Sequence, residues 1–209
     1  MAQALSFFKD FLQKAVIDCE GKRVGFVRDL AASLDEKALP IRYLVVGARA
    51  TTRFGKERPD LIIPWIAVEK LMTKAIRLNG SRQELAKLKL DQGQIFLKQH
   101  LMDRQIVDQG GYKLFRVDDV KLLATDDSLK VVGLHAGLSG LFLRLGSRRR
   151  LPTLMSRLGI KLRDNVIPWE LVERIDAKPR QIRLKVTKRM LKDGTVTETP
   201  RKPPRPSSS

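Results

Sequence analysis

The chain has 209 residues, 43% of them hydrophobic, which is room for one or two packed domains. A single cysteine, Cys19, excludes an internal disulfide, and no window approaches 18 consecutive apolar residues, so no membrane-spanning helix is expected. The formal net charge of +18 is unevenly spread: seven basic and no acidic residues lie between Arg144 and Arg163, and ten basic against two acidic between Ala177 and Ser209. The rest of the chain is close to neutral, so the charge belongs to an insertion and a tail.

In chain order, residues 4–14 read as a short helical or irregular lead-in to a strand at Val16. Asp18 to Gly21 has the composition of a hairpin turn, because Asp hydrogen-bonds its own backbone and Gly accepts positive φ without a Cβ clash. Strands follow at Arg23–Leu30 and Ile41–Ala48, the second rich in β-branched and aromatic residues, then a polar loop over 51–60. Leu61–Pro64 is a short strand ended by its proline, and Trp65 begins a helical turn. Asn79-Gly80-Ser81 reads as a turn, with a short helix from Ser81 to Leu90 carrying Leu85 and Leu88 on one side.

From there the pattern repeats. Ile106–Val120 is an apolar run, an Asp-Gln-Gly-Gly turn at Asp108–Gly111 and a strand of alternating polarity. Sliding the sequence by about 90 positions sets Asp18 on Asp108, Gly21 on Gly111, Val27 on Val117 and Asp29 on Asp119. The lead-ins Phe8–Leu12 and Leu97–Leu101 match as well. So do the ends, Ile62-Ile63-Pro64-Trp65 with Val166-Ile167-Pro168-Trp169, followed by Val68-Glu69 and Val172-Glu173. Three matched blocks in one order predict two copies of one small β-rich unit. The second copy carries an insertion at about 135–163, in which Leu138, Leu141, Phe142 and Leu145 have helical spacing and Leu151-Pro152 opens a second helix. Gln181–Val186 alternates apolar and basic residues as a strand does, and the Thr, Pro, Lys, Arg and Ser composition beyond Asp193 predicts a disordered basic tail.

Asp-x-x-Gly, a Val-x-x-Val-x-Asp strand, an aliphatic strand and Ile-Pro-Trp resemble the PRC-barrel domain, over roughly residues 5–177. That family includes the H subunit of photosynthetic reaction centres, a ribosome maturation factor and cytoplasmic proteins resembling magnesium-transporter regulatory regions. The second copy, with Leu-Met-Asp-Arg-Gln-Ile-Val-Asp, Arg-Val-Asp-Asp-Val and a later Gly-Leu-x-Gly-Leu, is most similar to the last group, in which two barrels precede an MgtE-type helical domain and CBS domains. The resemblance implies a mainly β chain of two tandem PRC-type β-barrels, 5–78 and 95–177, joined by a linker at 79–94. A possible closing strand and helix at 178–192 and the tail 193–209 follow. It implies structural roles for Trp65, Trp169, Pro64, Pro168, Gly21 and Gly111.

No nucleophile, acid and base constellation is present, and two histidines, His100 and His135, leave little from which to build one. His135, after an apolar strand, reads as a packed or capping residue, and Cys19, in a turn, as an inert thiol. Asp118-Asp119 and Asp126-Asp127 lack the spacing of a metal loop and read as strand ends and turns. The expectation is a non-enzymatic protein without metal or cofactor. Arg148, Arg149 and Arg150, with Arg144 and Arg157, suit phosphate oxygens. RNA, anionic lipid headgroups and an acidic protein face all fit them, as does a solvated loop. Trp65, Trp169, Tyr43 and Tyr112 read as core, leaving few rings to stack on bases. Pro200–Pro206 has the composition of a polyproline ligand or of a basic terminal tail. Of the binding classes, resemblance places first a cytosolic adaptor of the magnesium-transporter-associated type. An RNA- or ribosome-associated factor comes second and peripheral attachment to an anionic membrane third.

Overall fold

The turn at Asp18–Gly21 folds as its composition dictates, and the computed structural model, which describes residues 2–34, 39–47, 61–85, 93–126, 128–136 and 166–193, builds outward from it twice. Strand β1 is Gln3–Ser6, followed by one π-helical turn, Phe7–Phe11; β2 is Ala15–Ile17, β3 Arg23–Ser33, β4 Ile41–Gly47 and β5 Leu61–Pro64. After a 3-10 turn at Trp65–Ala67 come β6 Val68–Leu71, β7 Ala75–Leu78 and a helical turn at Arg82–Leu85. The second copy runs β8 Gln94–Phe96, a π-helical turn Leu97–Leu101, β9 Gln105–Val107, β10 Lys113–Ala124, β11 Leu129–Ala136 and β12 Val166–Pro168. Its end matches too, with a 3-10 turn Trp169–Leu171, β13 Val172–Asp176, β14 Gln181–Leu184 and a helix Lys188–Asp193.

The two copies agree in the bonds that close their hairpin turns. In each hairpin turn the aspartate amide donates to the carbonyl four residues on, Asp18 to Lys22 and Asp108 to Tyr112, and Gly21 and Gly111 sit at φ +80° and +85°. Only glycine holds that backbone without strain, which is what the turn demands of these two positions. Arg77 Nη2 donates to the Cys19 carbonyl and Arg183 Nη1 to the Gln109 carbonyl, so each turn is tied down by an arginine from the strand paired in parallel beside it.

Among the described residues the strands form two sheets of seven, one following the order β5-β4-β3-β2-β7-β6 and the other β12-β11-β10-β9-β14-β13. The protein is therefore mainly β. Each path of paired strands stays open among these residues, so no closed barrel is present there. The seventh strand of each sheet comes from the other copy: β1 pairs with β10, and β8 pairs with β3. The lead-in that precedes one repeat in sequence thus belongs in space to the sheet of its twin.

This exchange separates the boundaries in space from those in sequence. The expected linker 79–94 ends in β8, a strand of the first sheet, and the second sheet extends beyond residue 177 to take in β14. The alternating segment at 181–184 lies between β9 and β13 and has a counterpart in β7, which pairs in parallel with β2. The lead-in at 4–14 is a strand and a π-helical turn. The insertion from 137, the loop 51–60 and the tail from 194 lie outside the described residues.

One apolar cluster runs through both repeats, from Phe7, Phe11, Val27, Leu30 and Leu44 to Leu97, Leu101, Val117, Leu122 and Ile182. The exchanged π-helical turns bury Phe7 and Phe11 in one copy and Leu97 and Leu101 in the other. Burying four such side chains stabilises the pair by several kcal/mol, at about 1.5–3 kcal/mol each. Among the described residues no helix is long and apolar enough to cross a membrane.

Candidate functional site

The Val-x-Asp motif of each repeat is a device for joining the two. In β3 the register slips between Val27 and Asp29, and in β10 between Val117 and Asp119, so Arg28 and Asp118 each occupy a bulge. A bulge re-aims the side chain after it. Asp29 turns its carboxylate to the opposite repeat's π-helical turn: Oδ1 accepts from the Lys98 amide at 2.8 Å and its neighbour Leu30 at 2.8 Å, and Oδ2 accepts from Gln99 at 3.3 Å. Asp119 does the same in reverse, with Oδ1 accepting from the Phe8 amide at 2.9 Å and from Val120 at 2.7 Å, and Oδ2 from the Ser6 hydroxyl. Burial pushes the Asp29 carboxyl up to about 6, with the amides of Lys98, Leu30 and Gln99 holding it back. These aspartates clasp the structure together, and the acidic pair 118–119 is divided, Asp118 exposed and Asp119 engaged.

Because the two repeats share one frame, residues at matched places can be compared directly. Pro64 and Pro168 have the same backbone, φ −57° and −56° with ψ 142°, and Trp65 and Trp169 both pack half-buried against the core. The next residue differs. Ile66 is 87% exposed, whereas the second repeat has Glu170, which suits an exposed position. Beside Ile66 opens a groove of about 390 Å³, lined by Pro40, Tyr43, Pro64, Trp65, Ile66 and Leu129. It lies where the repeats meet, since Leu129 begins β11 and the Leu39 carbonyl accepts from the Val131 amide at 3.1 Å. Phe11 packs against Trp65, with ring centroids 6.2 Å apart.

The arginines singled out by sequence, Arg144, Arg148, Arg149, Arg150 and Arg157, lie outside the described residues. Tyr43 is buried as expected, but Tyr112 is 72% exposed, a correction with a local cause: it follows Gly111 in the hairpin turn, where the chain faces solvent on both sides. Cys19 is exposed in the equivalent turn. His135 is half-buried on β11 opposite Asp119, and His100 lies in the last part of the second π-helical turn, before Leu101. Asp126 is exposed beside the Thr125–Ser128 turn. Sequence reasoning passed over Ile66, although aligning the two Pro-Trp motifs pairs it with a glutamate and so flags it as an apolar residue in a polar position.

No model of a known protein family matches this chain, and no curated protein matches it.

Proposed function

We propose that the chain is a non-enzymatic adaptor, a pair of PRC-type barrels fused by strand exchange, which docks a protein partner in the groove beside Trp65. The observation that carries this reading is Ile66, a large side chain left 87% exposed next to a half-buried tryptophan, at a position where the twin repeat places glutamate. An aromatic anchor, an aliphatic side chain and a groove of a few hundred cubic ångströms are what a protein interface requires at its centre. The partner presents an apolar side chain to Trp65 and Ile66 with acidic residues around it, complementing the basic excess of the chain. The PRC-type reading is supported by the repeated Ile-Pro-Trp and Val-x-Asp motifs and by β3 and β10, long bulged strands that each pair with three others as strands of a small barrel do. By resemblance the adaptor is cytoplasmic and of the magnesium-transporter-associated kind.

The test is to replace Ile66 by the residue of its twin. Ile66→Glu retains the fold and abolishes association with the protein partner, measured by co-purification from nuclease-treated lysate and then with the isolated partner. If association persists undiminished in Ile66→Glu, the groove is not the docking site. The second reading, an RNA-associated factor, is favoured by the concentration of fifteen of the eighteen net charges in two segments. Loss of the partner on nuclease treatment, with a log K that falls steeply with log salt, selects it over the first.

A further inference from the structure

The groove beside Trp65 depends on the second repeat in two ways. The first is direct: of the residues that line it, Ser128 and Leu129 come from the second repeat, at the turn between β10 and β11. The other runs through the N-terminal turn. β10, the strand leading into that same turn, carries Asp119, whose Oδ1 accepts from the Phe8 amide at 2.9 Å and whose Oδ2 accepts from the Ser6 hydroxyl.

The π-helical turn Phe7–Phe11 is also bonded within itself. The Ser6 amide donates to Asp10 Oδ2 at 2.7 Å, the Lys9 amide to Ser6 Oγ at 3.3 Å, and the Leu12 amide to the Phe7 carbonyl at 2.9 Å. These bonds fix the turn in its own shape, and Asp119 fixes it to β10. Phe11 leaves the turn into the core, where it is 1% exposed and meets Trp65 with the ring planes tilted at 56°. That is an ordinary geometry for an aromatic pair, and in a close-packed interior one ring does not shift without the other. At the matching places of the second repeat Asp29 grips the Lys98 and Gln99 amides, but Leu101 stands where the first has Phe11. The clasp is common to both repeats, whereas the ring beside the tryptophan is a feature of the repeat that carries Ile66.

We propose that Asp119 and Phe11 are positioning residues for docking in the groove. The second repeat fixes the N-terminal turn, the turn fixes Phe11, and Phe11 holds Trp65 at the angle at which it lines the groove. The inference rests on the groove being the docking site, and it adds how that site is kept in shape. A clasp in one half of the chain thereby supports a binding surface in the other.

Trp65 can report on itself, because the chain has two tryptophans and Trp169→Phe leaves one. In that background Phe11→Leu, which installs the twin's residue, shifts the Trp65 emission to longer wavelength and increases its quenching by iodide. Asp119→Ala does the same. Asp29→Ala is the control, since it opens the matching clasp and leaves the Trp65 emission where it was. Anilinonaphthalene sulfonate, used as an apolar dye on the full-length protein, binds about fivefold more weakly in Phe11→Leu, as the loss of an aromatic pair implies, and more weakly still in Ile66→Glu. Should Asp119→Ala fail to fold, Phe11→Leu decides alone. A Trp65 emission unmoved by Phe11→Leu, or moved equally by Asp119→Ala and Asp29→Ala, overturns the proposal. Dye binding unchanged in Ile66→Glu overturns instead the groove as an apolar site, while the emission still decides whether Asp119 and Phe11 position Trp65.

Discussion

The two repeats share turns, bulges and tryptophans, yet at two matched positions they carry opposite chemistry. Ile66 faces solvent where its twin is Glu170, and Asp10, which accepts from the Ser6 amide, has as its twin His100, which accepts from the Phe96 amide. The common set builds the scaffold, and the differences mark where the surface of one half departs from that of the other. Duplication inside one chain thus supplies its own control, because every substitution that exchanges a residue for its counterpart is one the local backbone already accepts.

The comparison is broken most severely by separating the halves. Residues 1–93 and 94–209 produced alone each lack the strand that completes their sheet and half of a shared core, so neither is expected to fold by circular dichroism or to unfold cooperatively. Mixing the two restores the fold. A half that melts cooperatively by itself would show that the exchange of β1 and β8 is incidental.

Next in size are the clasps. Asp29→Ala leaves the amides of Leu30, Lys98 and Gln99 without their acceptor, and Asp119→Ala does so for Phe8 and Val120. Each should cost about 2–4 kcal/mol in denaturant unfolding, since orphaned buried donors cost about 1–3 kcal/mol apiece and exposed ones less. Near-equal losses support the symmetry of the two clasps; a loss below about 1 kcal/mol in either contradicts it.

Asp29 also gives the clasp a pH dependence. Its folded carboxyl titrates near 6, above the unfolded value near 4, so the folded chain holds the proton more tightly. Its contribution is therefore greatest below about pH 4 and declines as pH rises to about 6, by up to roughly 3 kcal/mol given 1.36 kcal/mol per unit. Asp29→Asn, which keeps an oxygen for two of the three amides, removes this slope. The measurement is the difference between wild type and variant in denaturant midpoints from pH 4 to 7, and a constant difference counts against the shifted carboxyl.

The smallest effect on stability belongs to the groove. Ile66→Glu and Glu170→Ile act on exposed side chains and should each change unfolding by no more than about 0.5 kcal/mol. A larger loss in Ile66→Glu identifies Ile66 as part of the packing and not as a docking residue.

Much of this architecture is legible in the sequence because it is local. The hairpin turns follow from Asp and Gly at fixed spacing, β5 and β12 from their terminating prolines, and the duplication from three blocks that recur in order. Alternation likewise marks Gln181–Leu184 as a strand. What it leaves open is the partner: a period of two tells which face of a strand is buried and says nothing about which neighbour supplies its hydrogen bonds. Strand exchange, the parallel pairs β2–β7 and β9–β14, and the open edges of both sheets were therefore settled only in three dimensions. The same holds for function-bearing residues. Val-x-Asp is visible as a motif, but its purpose depends on a bulge that turns Asp29 and Asp119 toward amides some 70 and 111 residues away in sequence. Sequence by itself determined the repeat and its turns, where neighbouring residues decide the backbone; tertiary structure decided the clasp and the groove, because each needs groups that only folding brings into contact.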